Sequence, residues 1–145
     1  MRNVVEQKIK TILETLRKYG VECEVSVDEL FVYVTAPTIT GDITTVGDII
    51  GNDLLVLHEL FEICKFKELG VPIIKDIFLK HADLAYRIHL LAMEIELDYA
   101  SKTKQIEWIR KRLNDIKSYL DDPNMPVDLR EICFRLLKRY AILTQ

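Results

Sequence analysis

The chain has 145 residues, 49% of them hydrophobic and 30% charged, with a formal net charge of -3. That length suits one domain with a real core, and the mild, mixed charge argues against a dedicated nucleic-acid or membrane-surface protein. MRNVVEQKIK contains no signal-peptide core and no apolar run approaches the ~18 residues of a membrane span, so a cytoplasmic protein without membrane contact is expected.

Val5, Ile9, Ile12, Leu13 and Leu16 recur at helical spacing up to Gly20, which predicts a first amphipathic helix. The period then changes. Val21, Cys23, Val25 and Val27 alternate with polar residues, and Leu30 to Val34 is rich in β-branched and aromatic residues, which predicts a β-hairpin turning at Asp28-Glu29. A lone hairpin is marginal in water, so its edge offers a route to a homodimer. Residues 36–51 hold Pro37, three glycines and four threonines and read as a loop.

Asn52 to Gly70 follows, with an N-cap at its start and a glycine stop at its end. Ten of the sixteen positions from Leu54 to Leu69 are apolar and reach almost all the way round a helical wheel, which predicts a central, buried helix. Its narrow polar stripe is His58, Glu62 and Lys65, with Glu59 beside it. After a short turn or helix at Asp76–Leu79, residues 82–101 form a second long helix whose water face carries Asp83, Arg87, Glu94 and Asp98. His89 and Glu96 fall on the flank of its apolar face instead, where burial is expected. Ile106, Ile109, Leu113, Ile116 and Leu120 mark a narrow seam, and Leu129 to Tyr140 a last helix opened by Pro126. The expected fold class is α+β, mostly α: about five helices packed as a bundle, with one N-terminal β-hairpin. The single domain 1–145 divides into 1–35 (helix plus hairpin), 36–51 (loop) and 52–145 (bundle).

Imidazole and carboxylate from facing helices are a standard way to hold a divalent ion inside a bundle. If the two long helices pack together, His58, Glu62, His89 and Glu96 are the expected metal ligands, suited to zinc, manganese or iron. His89 and Glu96 lie two turns apart, about 10.5 Å along the axis, so Glu96 serves either as a ligand or as a carboxylate orienting an imidazole. Glu59 is the expected general base, and His81 a cap or a third nitrogen ligand. The structural reading of the same groups is a hydrogen-bonded core cluster, with each other or with Tyr33, Tyr86 or Tyr99.

HELFE resembles the first half of the zinc-peptidase motif HExxH, with Glu62 where the second His stands, and His58-Glu59 resembles the His-Asp step of HD-domain phosphohydrolases. Glu59-x-x-Glu62 with Glu94 and Asp98 resembles the magnesium-binding ExxE and ExxD of MazG-like pyrophosphohydrolases, one residue longer in its second half. No activity is carried over from these short matches.

The three cysteines are widely spaced with no CxxC, so neither a disulfide framework nor a thiolate zinc site is indicated. Residues 1–101 carry seventeen Asp/Glu against ten Lys/Arg, and 102–145 six against ten. The basic third is either a solvated face or a site for a small anionic ligand; nucleic acid, with Trp108 or Tyr119 stacking on a base, is the weakest option. The functional expectation is a buried divalent-metal site in a metal-dependent hydrolase of an anionic small molecule. The alternative is a non-enzymatic module that dimerises through the hairpin or the Ile106–Leu120 seam.

Overall fold

Every regular element among the described residues is a helix, and the reason is visible at the helix ends. A computed structural model describes residues 2–38 and 45–145. Eight α-helices occur among them: α1 (Arg2–Arg17), α2 (Val27–Thr35), α3 (Val46–Ile50), α4 (Asp53–Glu68), α5 (Ile77–Lys80), α6 (Ala82–Lys102), α7 (Ile106–Tyr119) and α8 (Arg130–Ala141). Short 3₁₀ turns at Val127–Leu129 and Ile142–Thr144 flank α8. No strand occurs among the described residues, and no helix is long and apolar enough to cross a membrane.

The α+β expectation is therefore wrong, and Ser26 explains why. Its hydroxyl accepts from the Glu29 amide at 3.0 Å, and the Glu29 carboxylate accepts from the Ser26 amide at 2.9 Å. This capping box satisfies two groups at the start of a helix that a strand would have paired otherwise. Leu-Phe-Val-Tyr-Val has strand-like composition, yet Val27, Leu30, Tyr33 and Val34 share one buried helical face. Tertiary burial outweighs the weak local preference. Residues 21–26 lead into α2 without secondary structure.

The loop expected over 36–51 also shortens. Thr45 and Asp48 form a second capping box, at 3.1 Å in both directions, and start α3. Residues 39–44 lie outside the described part. Gly20 and Gly70 end α1 and α4 at φ +79° and +77°. The following amides, of Val21 and Val71, reach back to the carbonyls of Leu16 and Phe66 at 3.1 and 2.9 Å. Glycine suits this left-handed stop because it has no Cβ to clash.

Two hydrophobic clusters result. In the first, Val5, Ile9, Ile12 and Leu16 of α1 and Leu30 and Tyr33 of α2 pack with Leu57, Leu60 and Phe66 of α4. In the second, Leu90, Met93 and Leu97 of α6 pack with Ile109, Leu113 and Ile116 of α7 and Cys133, Leu136 and Tyr140 of α8. The α7 seam is thus consumed inside the chain, and the hairpin edge does not exist; both surfaces assigned to dimerisation are gone. The α4 helix lies against α1, α2, α3 and α6, which accounts for its nearly all-round burial. Cys23 and Cys64 are joined in a disulfide with Cα atoms 5.8 Å apart, although the cysteine spacing indicated no disulfide framework. A separation of 41 residues carries no spacing signal; only the packing of the 21–26 segment on α4 brings the pair together.

Candidate metal centre

His58 and Glu62 sit one turn apart on α4 and face α6, which presents His89 and Glu96 across the seam between the clusters. His58 is 2% exposed, Glu62 5% and Glu96 0%, while His89 keeps about a third of its side chain in solvent. The centre therefore reaches the surface on the His89 side.

Three ligand atoms converge. His58 Nε2 lies 2.6 Å from Glu62 Oε2, His89 Nδ1 lies 2.9 Å from the same oxygen, and the two nitrogens are 3.0 Å apart. The other polar atom of each residue is anchored outward. His58 Nδ1 meets Glu96 Oε1 at 2.7 Å, His89 Nε2 meets the Tyr119 hydroxyl at 2.8 Å, and the Tyr33 hydroxyl donates to Glu62 Oε1 at 2.5 Å. Glu96 thus orients an imidazole and stands outside the converging set. Its carboxylate also accepts Arg112 Nε at 2.6 Å, Arg112 Nη2 at 2.9 Å and Trp108 Nε1 at 2.6 Å.

The charges follow from these contacts. Burial alone would raise the Glu62 carboxyl, but His58 and His89 hold it well below the usual carboxylate range. Burial likewise opposes charge on His58, yet Glu62 and Glu96 on its two sides push its pKa up to about 10. Against the burial penalty, hydrogen bonds from His58 and Arg112 bring Glu96 down to about 2. His89 is lowered, chiefly by burial and against the pull of Glu62. The set then holds His58 and Arg112 as cations, Glu62 and Glu96 as anions, and His89 neutral.

That distribution can give every polar atom of the cluster a partner, but it crowds one contact. With Glu62 ionised, either His58 Nε2 and His89 Nδ1 both donate to Oε2, and two N–H groups oppose each other at 3.0 Å. Or His89 Nδ1 is bare, and its lone pair opposes the carboxylate oxygen at 2.9 Å. Protons thus bridge two sides of the triangle, and the third is a close approach of two ring nitrogens at 3.0 Å.

Glu59 is half-buried, has no hydrogen-bond partner among the described residues, and is raised to about 8 by burial and by Glu62. His81 precedes α6 without a side-chain capping bond and is outside the converging set. Glu94 and Asp98 are drawn into surface contacts with Arg135 at 2.8 Å and with Tyr19 at 2.6 Å. Tyr86 bonds Asp122 at 2.8 Å. Trp108 and Tyr119 turn their polar atoms inward to Glu96 and His89. Arg112 escaped the sequence reading, although it lies three residues after Ile109 and four before Ile116, on the buried face of α7.

Comparison with protein-family models, curated proteins and solved structures gives no match to this chain. Its own geometry carries the functional argument.

Proposed function

We propose that His58, Glu62 and His89 hold a divalent transition-metal ion, and that the protein is a metal-dependent hydrolase of a small anionic molecule. The observation that carries the metal site is the arrangement of the three side chains. Each has its outer atom fixed by Glu96, Tyr119 or Tyr33, while the inner atoms meet in a triangle of 2.6, 2.9 and 3.0 Å. Outer contacts of this kind set the ring orientation and tautomer of metal ligands. The negative potential that keeps a proton on His58 equally favours a dication in its place.

Two imidazoles and a carboxylate suit zinc, manganese or iron. Such an ion supplies Lewis acidity toward water and the substrate oxygen. Glu59, beside His58 in sequence and without a hydrogen-bond partner among the described residues, is our candidate base above about pH 8, where its raised carboxyl ionises.

Elemental analysis of protein purified without a histidine tag tests the reading. About one equivalent of zinc, manganese or iron is expected, with a melting temperature that falls on chelation. Glu62→Gln should fold and lose the metal. Metal-free protein whose melting temperature ignores both chelator and added manganese overturns the proposal and leaves a purely hydrogen-bonded core.

A further inference from the structure

On the side of α4 away from the metal ligands, we propose that the Cys23–Cys64 disulfide is a thiol-exchange site for a small neutral dithiol, coupled to the centre through Tyr33. The coupling rests on the metal reading; the exchange does not.

Both cysteines line a surface cleft of about 550 Å³. Cys64 is buried and Cys23 only half-buried, so Cys23 is the partner an incoming thiolate reaches first. Lys65 and Lys67 line the cleft from α4, Lys65 paired with Glu68 at 3.1 Å and Lys67 with Glu29 at 3.0 Å, so the cleft offers little uncompensated positive charge. Glu22 and Glu68 line it too and oppose an anionic reagent. A neutral dithiol fits that mixture better than an acidic thiol.

The exchange balances in two steps. A thiolate of the reagent attacks Cys23 Sγ, the Cys23–Cys64 bond breaks, and Cys64 leaves as a thiolate that takes up a proton. The second thiol of the reagent then attacks its own sulfur in the mixed disulfide, giving the oxidised cyclic reagent and releasing Cys23. Two electrons pass from the dithiol to the cysteine pair.

The bond also has a structural consequence. Cys64 lies two residues beyond Glu62 on α4, and Cys23 three residues before Ser26, which caps α2. Lys67 Nζ adds donor contacts to the Glu24 carbonyl at 2.5 Å and to the Glu29 carboxylate at 3.1 Å. Together these links set where α2 begins along α4, and so where Tyr33 meets Glu62. Reduction removes the covalent one.

The test uses folded, untagged protein incubated with dithiothreitol or with glutathione, followed by maleimide labelling and mass analysis. Dithiothreitol should expose two new thiols while the helical circular dichroism is retained, and glutathione should be slower. Cys133, buried with its sulfur 4.0 Å from that of Met125, serves as the internal control for unfolding. Manganese binding, read from loss of the free-ion electron-paramagnetic signal, should weaken about tenfold on reduction, the lower end for losing an outer-sphere contact. The Cys23→Ser/Cys64→Ser variant should bind like the reduced protein. Thiols that appear only in urea overturn the exchange site. Equal manganese affinity of the two redox forms overturns the coupling. If neither form binds manganese, the metal site is rejected, and the thiol count alone decides the exchange for or against.

Discussion

The two hydrophobic clusters are held together differently. On the amino-terminal side, α2 has nine residues and α3 five, lengths at which a helix is marginal alone. Two capping boxes, the Lys67–Glu29 contact and a disulfide fasten them. On the carboxyl-terminal side, α6, α7 and α8 run to 21, 14 and 12 residues, and apolar stripes along their length do most of the holding. Short elements depend on specific local fasteners, whereas long ones need mainly a continuous stripe. The polar centre lies where the two kinds of construction meet. Tyr33 supports it from the first side, and Glu96, Arg112 and Tyr119 from the second.

That contrast can be broken most severely at the seam. Glu96→Ala leaves His58 and Arg112 as buried cations without their shared anion and should cost about 5 kcal/mol, the upper end for breaking a buried ion pair. Urea denaturation measures it; a loss below about 1 kcal/mol would mean that the centre is far wetter than its burial implies. Next come the cores. Leu30→Ala and Leu136→Ala each remove a fully buried leucine, one per cluster, and should cost about 3 kcal/mol apiece. If the clusters unfold together, hydrogen exchange will speed up in both halves for either variant; acceleration confined to the mutated half would show two independent units.

The smallest effect is at the fasteners. Ser26→Ala should cost about 1 kcal/mol, confined to α2 and the segment before it. Burial tends to raise the Glu29 carboxyl, but the Ser26 amide and Lys67 hold it below its ordinary value. A carboxyl depressed in the folded state stabilises above the unfolded pKa, and that contribution disappears as pH falls through the folded one. Wild type and Glu29→Gln should therefore converge in melting temperature below about pH 4, and a gap that widens on acidification would contradict the capping role.

Much of the centre was legible because it rests on short-range periodicity. His58 and Glu62 are one turn apart on a helix that is otherwise apolar, and His89 and Glu96 leave the water face of theirs. Even Tyr33 could be named as a partner for this set. The α2 helix was not read, since Leu-Phe-Val-Tyr-Val imitates a strand and the Ser26–Glu29 spacing of a capping box was passed over in favour of a turn at Asp28-Glu29. The disulfide was not legible in physical terms at all: nothing local distinguishes Cys23 or Cys64 from a buried apolar residue. Arg112 lay in plain view on a buried face, hidden by the habit of assigning arginine to water.

The carboxylate of Glu96, gripped by four donors from three side chains, has one more consequence. Glutamine there would turn an amide N–H₂ toward the Arg112 and His58 donors, and aspartate would fall short of Trp108, so drift at this position is restricted. The same restriction binds its partners into a spaced set: H-x3-E, then H-x6-E-x11-W-x3-R-x6-Y. Over long divergence, when overall similarity has faded, that intermittent pattern is the form in which a distant homologue would still be recognisable.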